Sequence, residues 1–354
     1  MFGRISDRIA EAMDAGVRWQ LSTLPVALPP PGSWGPVDPV RFWEESRVHD
    51  PVPLTLGRLQ PAREDGVEIR TLEGASRGPG SHPGSRRLVA TARLCPGRRD
   101  RPLVLVIHGL LSPFPWYEAW QCRELNRRGA HAVRIDLPYH LRRRPPGGRS
   151  GVGYISPDLR WTRDVVRQSV EDCAAVVAWA RQEVSDRVAV FGVSLGGLIA
   201  CLLAAQVELD SLAALAPFCD PAETLMDHLP ARPRRILGLD GDGGGAWGRD
   251  HREARLTLDA ALAPLVPRNF RPATPPERIA IIRPTLDTVV GDAPMERLAE
   301  TWGCELWNYR QGHISVMNAR GLTPKIHDWL LRPHRSVTGR GARVAAVKEG
   351  RPAT

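Results

Sequence analysis

The chain has 354 residues, of which 42% are hydrophobic, and a net charge of +9 at neutral pH. Only two of its 48 basic residues are lysines, and no zinc finger, recognition helix or aromatic-plus-basic platform accompanies the charge, which argues against nucleic-acid binding. No stretch approaches the ~18 apolar residues of a membrane span. The charged N-terminus lacks the apolar segment of a signal peptide, so we expect a cytoplasmic protein with a sizeable core.

Residues 1–84 are predicted to form an N-terminal helix, a proline-rich wrap and the first strands. Apolar residues at every fourth position from Ile5 to Val17 indicate a helix that packs one face on the domain. Its acidic residues offset the basic ones, although peripheral contact with a membrane surface stays open. Residues 67–72 and 87–94 have the pattern of early antiparallel strands. The sequence leaves the oligomeric state open.

From residue 85 to residue 332, strand and helix patterns alternate, which predicts a mostly parallel, doubly wound sheet. The pattern breaks down between residues 216 and 276, where prolines and glycines interrupt it. This insertion has no long aliphatic run and gives no sign of a lipid tunnel. The last segment, 333–354, is basic without apolar periodicity and is predicted to be disordered. The strand and helix patterns lie at residues 103–107, 116–128, 131–135, 157–184, 188–193, 198–205, 211–215, 279–282, 305–309 and 322–331.

The most informative stretch is the run VAVFGVSLGG at residues 188–197, in which an apolar strand ends in Gly-x-Ser-x-Gly. An apolar, alanine-rich helix pattern follows at once, so Ser194 lies on a tight turn between a strand and a helix. The free N–H groups at the start of that helix favour developing negative charge beside the serine. Ser194 is therefore a candidate nucleophile, which needs a general base, an orienting acid and oxyanion donors.

Other chemistry-bearing residues follow the strands in a definite order. His108-Gly109 ends an apolar strand, Asp287 comes after the strand pattern at 279–282, and His313 follows the last strand. The order His-Gly, Ser194, Asp287, His313 resembles that of the α/β-hydrolase superfamily, and the resemblance spans roughly residues 85 to 332. It implies an α/β-hydrolase fold in which residues 216–276 form a cap over the site.

The resemblance implies that His313 is the general base and that Asp287 orients it. The acid stays open among three candidates, because the ends of predicted strands are uncertain by several residues. Asp292 lies five residues after Asp287, and Asp220 follows the preceding strand, at a position that some members of the superfamily use.

The implied oxyanion donors are the backbone N–H groups of Leu195 and of either Leu110 or Leu111. Tyr139, His140 and Arg142 follow a neighbouring strand and are candidates for the substrate pocket, with the arginine facing an anionic group. The wider arginine-rich stretch 141–149 is otherwise predicted to be a solvated loop.

These residues predict a carboxylic ester or thioester hydrolase that works through an acyl-enzyme on a small-molecule acyl ester. The chemistry requires no metal and no organic cofactor. Two aspartates at residues 240 and 242 resemble a calcium loop but lack its further ligands, and six scattered cysteines have no CxxC spacing. A non-catalytic binding protein with this fold and an acyltransferase with the same three residues are the alternatives.

Overall fold

The structure, a computed structural model, describes residues 7–23, 34–60, 66–79, 82–112, 115–236 and 250–333. Their strands are β1 (Leu54–Gln60), β2 (Glu68–Ala75), β3 (Arg87–Leu94), β4 (Leu103–Ile107), β5 (His131–Asp136), β6 (Val188–Val193), β7 (Ser211–Leu215), β8 (Ile279–Pro284) and β9 (Glu305–Tyr309). Their α-helices are α1 (Asp7–Ser22), α2 (Pro39–Glu44), α3 (Trp116–Arg127), α4 (Leu159–Glu183), α5 (Leu195–Gln206), α6 (Pro221–Glu223), α7 (Ala231–Ile236), α8 (His251–Leu262), α9 (Ala293–Trp302) and α10 (Leu322–Leu331).

All nine strands form one sheet in the order β1-β2-β3-β5-β4-β6-β7-β8-β9. The pairs β1-β2, β2-β3 and β3-β5 are antiparallel. The six strands β5, β4, β6, β7, β8 and β9 are parallel to one another. β2 and β3 pair along their full lengths, so the early strands belong to the same sheet as the rest. The division of the chain at residues 84 and 332 stays a prediction.

The central strands are apolar because both faces of the sheet are covered by helices. Every residue of β4, β6 and β7 is buried, and each of these strands reads as a nearly continuous run of Val, Leu, Ile and Ala. α5 is apolar all round and is buried along its whole length. This packing fixes the carboxyl ends of β6, β8 and β9 at one edge, where loops carry the candidate site residues.

α4 is the longest helix and packs beside α5. Its N-cap is Asp158, whose carboxylate accepts hydrogen bonds from the backbone N–H groups of Arg160 and Trp161. The helix starts two residues later and ends one residue earlier than the span from 157 to 184 that the sequence predicts.

α1 packs on the domain by a face that only partly matches the one its apolar spacing predicts. Ala10 and Asp14 are buried, with Val17 and Leu21 packed against the core, whereas Ile9 is 52% exposed. The contacting stripe therefore keeps Val17 of the predicted face, leaves Ile9 out and contains a carboxylate. Ile5 lies outside the described residues.

The insertion between β7 and β8 contributes helices that lie over the carboxyl edge of the sheet. It comprises α6, a π-helical turn at Thr224–His228, α7 and α8. The aspartates at residues 240 and 242 and the basic tail from residue 334 lie outside the described residues. None of the helices described by the structure is both long enough and apolar enough to cross a membrane.

The arginine-rich stretch after β5 is not simply a solvated loop, and that expectation is wrong for Arg143. Its guanidinium is fully buried and donates to Oδ2 of Asp172 at 2.8 Å and to Oγ of Ser76 at 2.9 Å. Further hydrogen bonds go to the carbonyl oxygens of Ser85 and Asp136. A buried charge needs this degree of pairing, because desolvation otherwise costs several kcal/mol per ion.

Candidate active site

Ser194 lies between the end of β6 and the start of α5 in an unusual backbone conformation. Its φ is 55° and its ψ is −115°, which a residue with a side chain rarely adopts. Three hydrogen bonds hold the turn: the Ser194 N–H donates to the Leu215 carbonyl, and the Ser194 carbonyl accepts from the N–H groups of Leu198 and Phe218. This backbone conformation places the Ser194 hydroxyl at the N-terminus of α5.

The glycines on either side of Ser194 allow the helix to approach the sheet closely. A Cβ atom on Gly192 would lie 2.2 Å from the carbonyl oxygen of Gly196. A Cβ atom on Gly196 would lie 2.3 Å from the carbonyl oxygen of Ile107, which is backbone of the neighbouring strand. Both distances are far below van der Waals contact, so this turn requires glycine at the two positions.

Three side chains from distant parts of the chain form a hydrogen-bonded series at this turn. Nε2 of His313 lies 2.9 Å from Oγ of Ser194, and Nδ1 of His313 lies 2.6 Å from Oδ2 of Asp287. The other carboxylate oxygen of Asp287 accepts from the backbone N–H groups of Val289 and Val290. Asp287 can therefore hold the Nδ1–H tautomer of His313, which leaves Nε2 free to accept the serine proton.

Opposing effects set the protonation of His313. Burial of the ring lowers its pKa, but the Asp287 carboxylate, its hydrogen bond to the ring and the charge of Asp14 outweigh that effect. The pKa of His313 therefore lies above the ordinary value of 6.5. A histidine of this kind is a stronger base than a free imidazole, and its cation is stabilised when it takes a proton.

The other two candidate acids are engaged elsewhere. Oδ1 of Asp220 accepts from the Glu223 N–H at the start of α6, and its Oδ2 lies 3.4 Å from Nη2 of Arg268. Asp292 pairs with Arg283, with 2.6 Å between Oδ2 and Nη2. Only Asp287, of the three, contacts the His313 ring.

The loop after β4 lies beside Ser194. A Cβ atom on Gly109 would lie 3.5 Å from the Ser194 Cβ, and Leu110 and Leu111 both line the space above it. Leu195 is the first residue of α5, so its N–H has no carbonyl one turn earlier in the helix to donate to. Leu110, Leu111 and Leu195 all line the cavity beside Ser194, and both upstream leucines stay candidates for the second oxyanion donor.

His108 supports that loop from within the protein. Its Nδ1–H donates to the Gly109 carbonyl at 2.8 Å, and its Nε2 accepts from the Leu137 N–H at 3.1 Å. Burial lowers the pKa of His108, which favours the neutral ring, and these two hydrogen bonds fix its tautomer.

Ser194 and His313 open onto a cavity of about 1050 Å³. Its walls are mainly apolar and come from the cap insertion, from Val17 and Leu21 of α1, and from Leu159 and Val166 of α4. The volume is slightly above the usual range for small-molecule sites in proteins, ~300–1,000 Å³. The apolar cap residues in the wall are Phe218, Leu225, Leu229, Leu258, Leu262 and Leu265.

Solved structures with a similar arrangement decide the fold class. Acetyl xylan esterase 1 from Thermoanaerobacterium sp. JW/SL YS485 matches with a TM-score of 0.60 and 17% identity over 88% of this chain and 97% of its own. Acetyl xylan esterase from Paenibacillus sp. R4 matches with a TM-score of 0.61 and 14% identity over 88% of this chain and 98% of its own. The chain has the α/β-hydrolase fold. The predicted fold class, an α/β-hydrolase fold with a mostly parallel sheet, is confirmed.

Sequence comparison points to the same fold. The model of the family described as serine aminopeptidase, S33, matches residues 98–239, which run from just before β4 into the cap of this α/β-hydrolase fold. No curated protein sequence matches the chain.

Tyr139, His140 and Arg142 do not line the cavity of this hydrolase fold, so the structure does not support their assignment to the pocket. The Tyr139 ring packs behind Trp161, which is itself part of the wall. His140 is fully buried beside His108. Nε of Arg142 donates to Oδ2 of Asp136 at 2.6 Å. The Arg142 guanidinium therefore pairs with a carboxylate of the protein and not with the anionic substrate group that the sequence analysis expects.

Two features of the site have no counterpart in the sequence prediction. The N-terminal helix reaches the site, where the Asp14 carboxylate accepts hydrogen bonds from the loops that carry His313 and Asp287. The cap supplies an apolar wall from residues scattered over about fifty positions. The sequence near Asp14 holds no signal for the first feature, because the partners of Asp14 are distant along the chain. The second feature has no local pattern. Among the described residues, no three His, Cys, Asp or Glu side chains gather as a metal site would require.

Proposed function

We propose that this chain is a serine hydrolase that cleaves carboxylic esters or thioesters by two-step acyl transfer to water. The observation that carries the proposal is the hydrogen-bonded series Ser194–His313–Asp287, which opens onto an apolar cavity. Nucleophile, base and orienting acid with this mutual geometry are what acyl transfer needs. The solved structures of similar fold are named as esterases, which supports the ester class.

In the first half of the reaction, the Ser194 hydroxyl attacks the substrate carbonyl while His313 Nε2 takes its proton. Asp287 holds the ring in the productive tautomer and stabilises the imidazolium that forms. The backbone N–H of Leu195 and that of Leu110 or Leu111 donate to the tetrahedral oxyanion. Removal of one such donor costs ~3 kcal/mol in comparable enzymes.

The first half ends when His313 gives this proton to the leaving alcohol or thiol, which departs and leaves the acyl group on Ser194. In the second half, a water molecule attacks the acyl-enzyme while His313 takes a proton from it. The tetrahedral intermediate then collapses, His313 returns the proton to Oγ of Ser194, and the carboxylic acid leaves. Both halves use the same donors and the same base, and no step involves a metal or an organic cofactor.

The size and polarity of the cavity support a substrate with a bulky apolar acyl or alcohol group. A two-carbon acyl group would fill only a small part of 1050 Å³, and Leu and Val are the most frequent residues in the wall. No single aliphatic run in the sequence indicates such a space, because its wall comes from α1, α4 and the cap together. Each methylene buried there contributes about 0.8 kcal/mol.

Hydrolysis of a series of p-nitrophenyl esters, from the acetate through the butyrate and octanoate to the laurate, tests this proposal. We expect kcat/KM to rise with acyl length until the cavity is filled, and we expect Ser194→Ala to abolish turnover of every ester. Chromatography of the products distinguishes hydrolysis, which yields the free acid, from transfer to an added alcohol. Equal turnover by the wild type and Ser194→Ala would contradict the proposal.

A further inference from the structure

Asp14 is a buried carboxylate on α1, far in sequence from the other site residues. Its side chain is fully buried, and its two oxygens accept hydrogen bonds from three backbone N–H groups of other segments. Oδ2 accepts from the His313 N–H at 2.9 Å and from the Thr288 N–H at 3.2 Å, and Oδ1 accepts from the Ile314 N–H at 3.1 Å. The Thr288 hydroxyl is 3.4 Å from Oδ2.

These contacts join the two loops that matter most to the proposed reaction. Thr288 directly follows the candidate acid Asp287, and Ile314 directly follows the candidate base His313. The 2.6 Å hydrogen bond between that acid and that base depends on the relative position of the same two loops. One carboxylate therefore fixes the separation on which the geometry of the base depends.

The loop that contacts the Asp14 carboxylate has a glycine, Gly312, at the point of closest approach. A Cβ atom on Gly312 would lie 2.8 Å from Oδ2 and 2.9 Å from Oδ1 of Asp14, so any side chain at residue 312 would displace the carboxylate or the loop. Gly312 immediately precedes His313, and its own N–H donates to the Ser315 hydroxyl at 2.9 Å. The absence of a side chain at Gly312 therefore leaves the space that the Asp14 carboxylate occupies.

We propose that Asp14 is a positioning residue for the proposed serine hydrolase: it ties the N-terminal helix to the loops of His313 and Asp287 and holds the base in its working geometry. This inference rests on the proposed function. Among the described residues, the charged groups that act on the His313 ring are Asp287 and Asp14, and the Ser194 hydroxyl is the polar group at its other nitrogen. The negative charge of Asp14 therefore also favours the imidazolium that forms in both halves of the reaction.

The test compares Asp14→Asn with Asp7→Asn, a control on the same helix whose carboxylate pairs at the surface with Arg310. The amide keeps one acceptor oxygen but loses the charge and cannot accept from all three N–H groups. With an ester that the wild type hydrolyses, we expect Asp14→Asn to lower kcat by tenfold or more and to change KM by less than about threefold, because Asp14 does not line the cavity. The acid limb of the pH–rate profile should move to lower pH, because the charge of Asp14 is one of the causes that raise the pKa of His313.

A merely structural role would not move the acid limb, and Asp7→Asn should match the wild type in kcat, KM and pH profile. If Asp14→Asn fails to fold, Gly312→Ala is the second variant: it keeps the charge, and we expect the same loss of kcat with little change in KM. Wild-type kcat and an unshifted limb in Asp14→Asn, or wild-type kcat in Gly312→Ala, would overturn the inference. Either result leaves the proposed function standing, which would fail only if the wild type itself showed no turnover dependent on Ser194.

Discussion

The Nδ1 atom of His313 lies 2.6 Å from Oδ2 of Asp287, and both side chains are buried. Because both side chains are buried, water screens the charge of the carboxylate only weakly. The carboxylate therefore controls which ring nitrogen carries the proton and how basic the histidine is. The raised pKa of His313 is the direct consequence.

The first prediction concerns pH. The neutral form of His313 is the base, so kcat/KM should fall as the pH drops through the raised pKa, above the ordinary value of 6.5. Asp287→Asn removes the charge that opposes the effect of burial, so the acid limb should move to lower pH and kcat should fall by about 10³–10⁴-fold. Rates of ester hydrolysis across the pH range measure both effects.

Asp292→Asn is the matched control, because Asp292 is five residues away and pairs with Arg283 instead of His313. Its pH profile should be that of the wild type. The prediction fails if the acid limb of the wild type has its midpoint below pH 6.5, or if that midpoint is the same in the wild type and in Asp287→Asn. Either result would show that Asp287 does not set the basicity of His313.

The second prediction concerns the cavity. Leu225 of the cap lines it, so Leu225→Trp should fill part of the space and shorten the acyl chain that fits. Each methylene that loses its place costs about 0.8 kcal/mol, or roughly fourfold in kcat/KM. The kcat/KM for the laurate ester should therefore fall by several tens of fold or more, whereas kcat/KM for the acetate ester should change little.

Leu256→Trp introduces the same side chain on α8 at a position that is 60% exposed and outside the cavity wall. It should leave the chain-length profile unchanged. An equal loss for acetate and laurate in Leu225→Trp would mean that the acyl group does not occupy this cavity.

The third prediction concerns the turn that carries Ser194. Gly196→Ala would place a Cβ atom 2.3 Å from the Ile107 carbonyl oxygen and 2.6 Å from that of His108. Neither oxygen belongs to a flexible side chain, so α5 and the sheet must separate, at a cost of about 3 kcal/mol or more. Thermal unfolding should show a clear loss of stability.

Gly16→Ala is the opposite case, since nothing lies within 4 Å of a Cβ atom at this position in α1. Alanine is a better helix former than glycine, by about 0.5–1 kcal/mol, so this variant should be as stable as the wild type or slightly more stable. Equal melting temperatures for Gly196→Ala and the wild type would contradict the close approach of α5 to the sheet.

Local patterns in the sequence were sufficient for the central sheet. The strands at 103–107 and 211–215 have the predicted bounds, because each is an apolar run that is buried on both faces. The edge strand at 305–309 also has the predicted bounds, although only Trp307 of its residues is buried. The order of Ser194, Asp287 and His313 along the chain also predicts which residues the fold brings together, since parallel strands end at one edge. The first strand, Leu54–Gln60, was missed because a bulge shifts its register between Leu56 and Leu59.

Residues whose roles depend on distant partners were not predictable in this way. An aspartate in an amphipathic helix normally faces solvent, and nothing near Asp14 in the sequence shows that three backbone N–H groups will surround it. Arg143 resembles its exposed neighbours in the sequence and is nevertheless fully buried against Asp172. In both cases the partners lie on separate elements, and only the packed structure brings them together.

The central claim is that Ser194 is the nucleophile of a working acyl-transfer site, and its most direct test is covalent labelling. The folded protein is incubated with a fluorophosphonate, and the modified peptide is identified by mass spectrometry. We expect a single phosphonyl adduct on the peptide that contains Ser194, slower labelling in Asp287→Asn and no labelling in Ser194→Ala. An unlabelled wild type, or an adduct that persists in Ser194→Ala, would contradict the account.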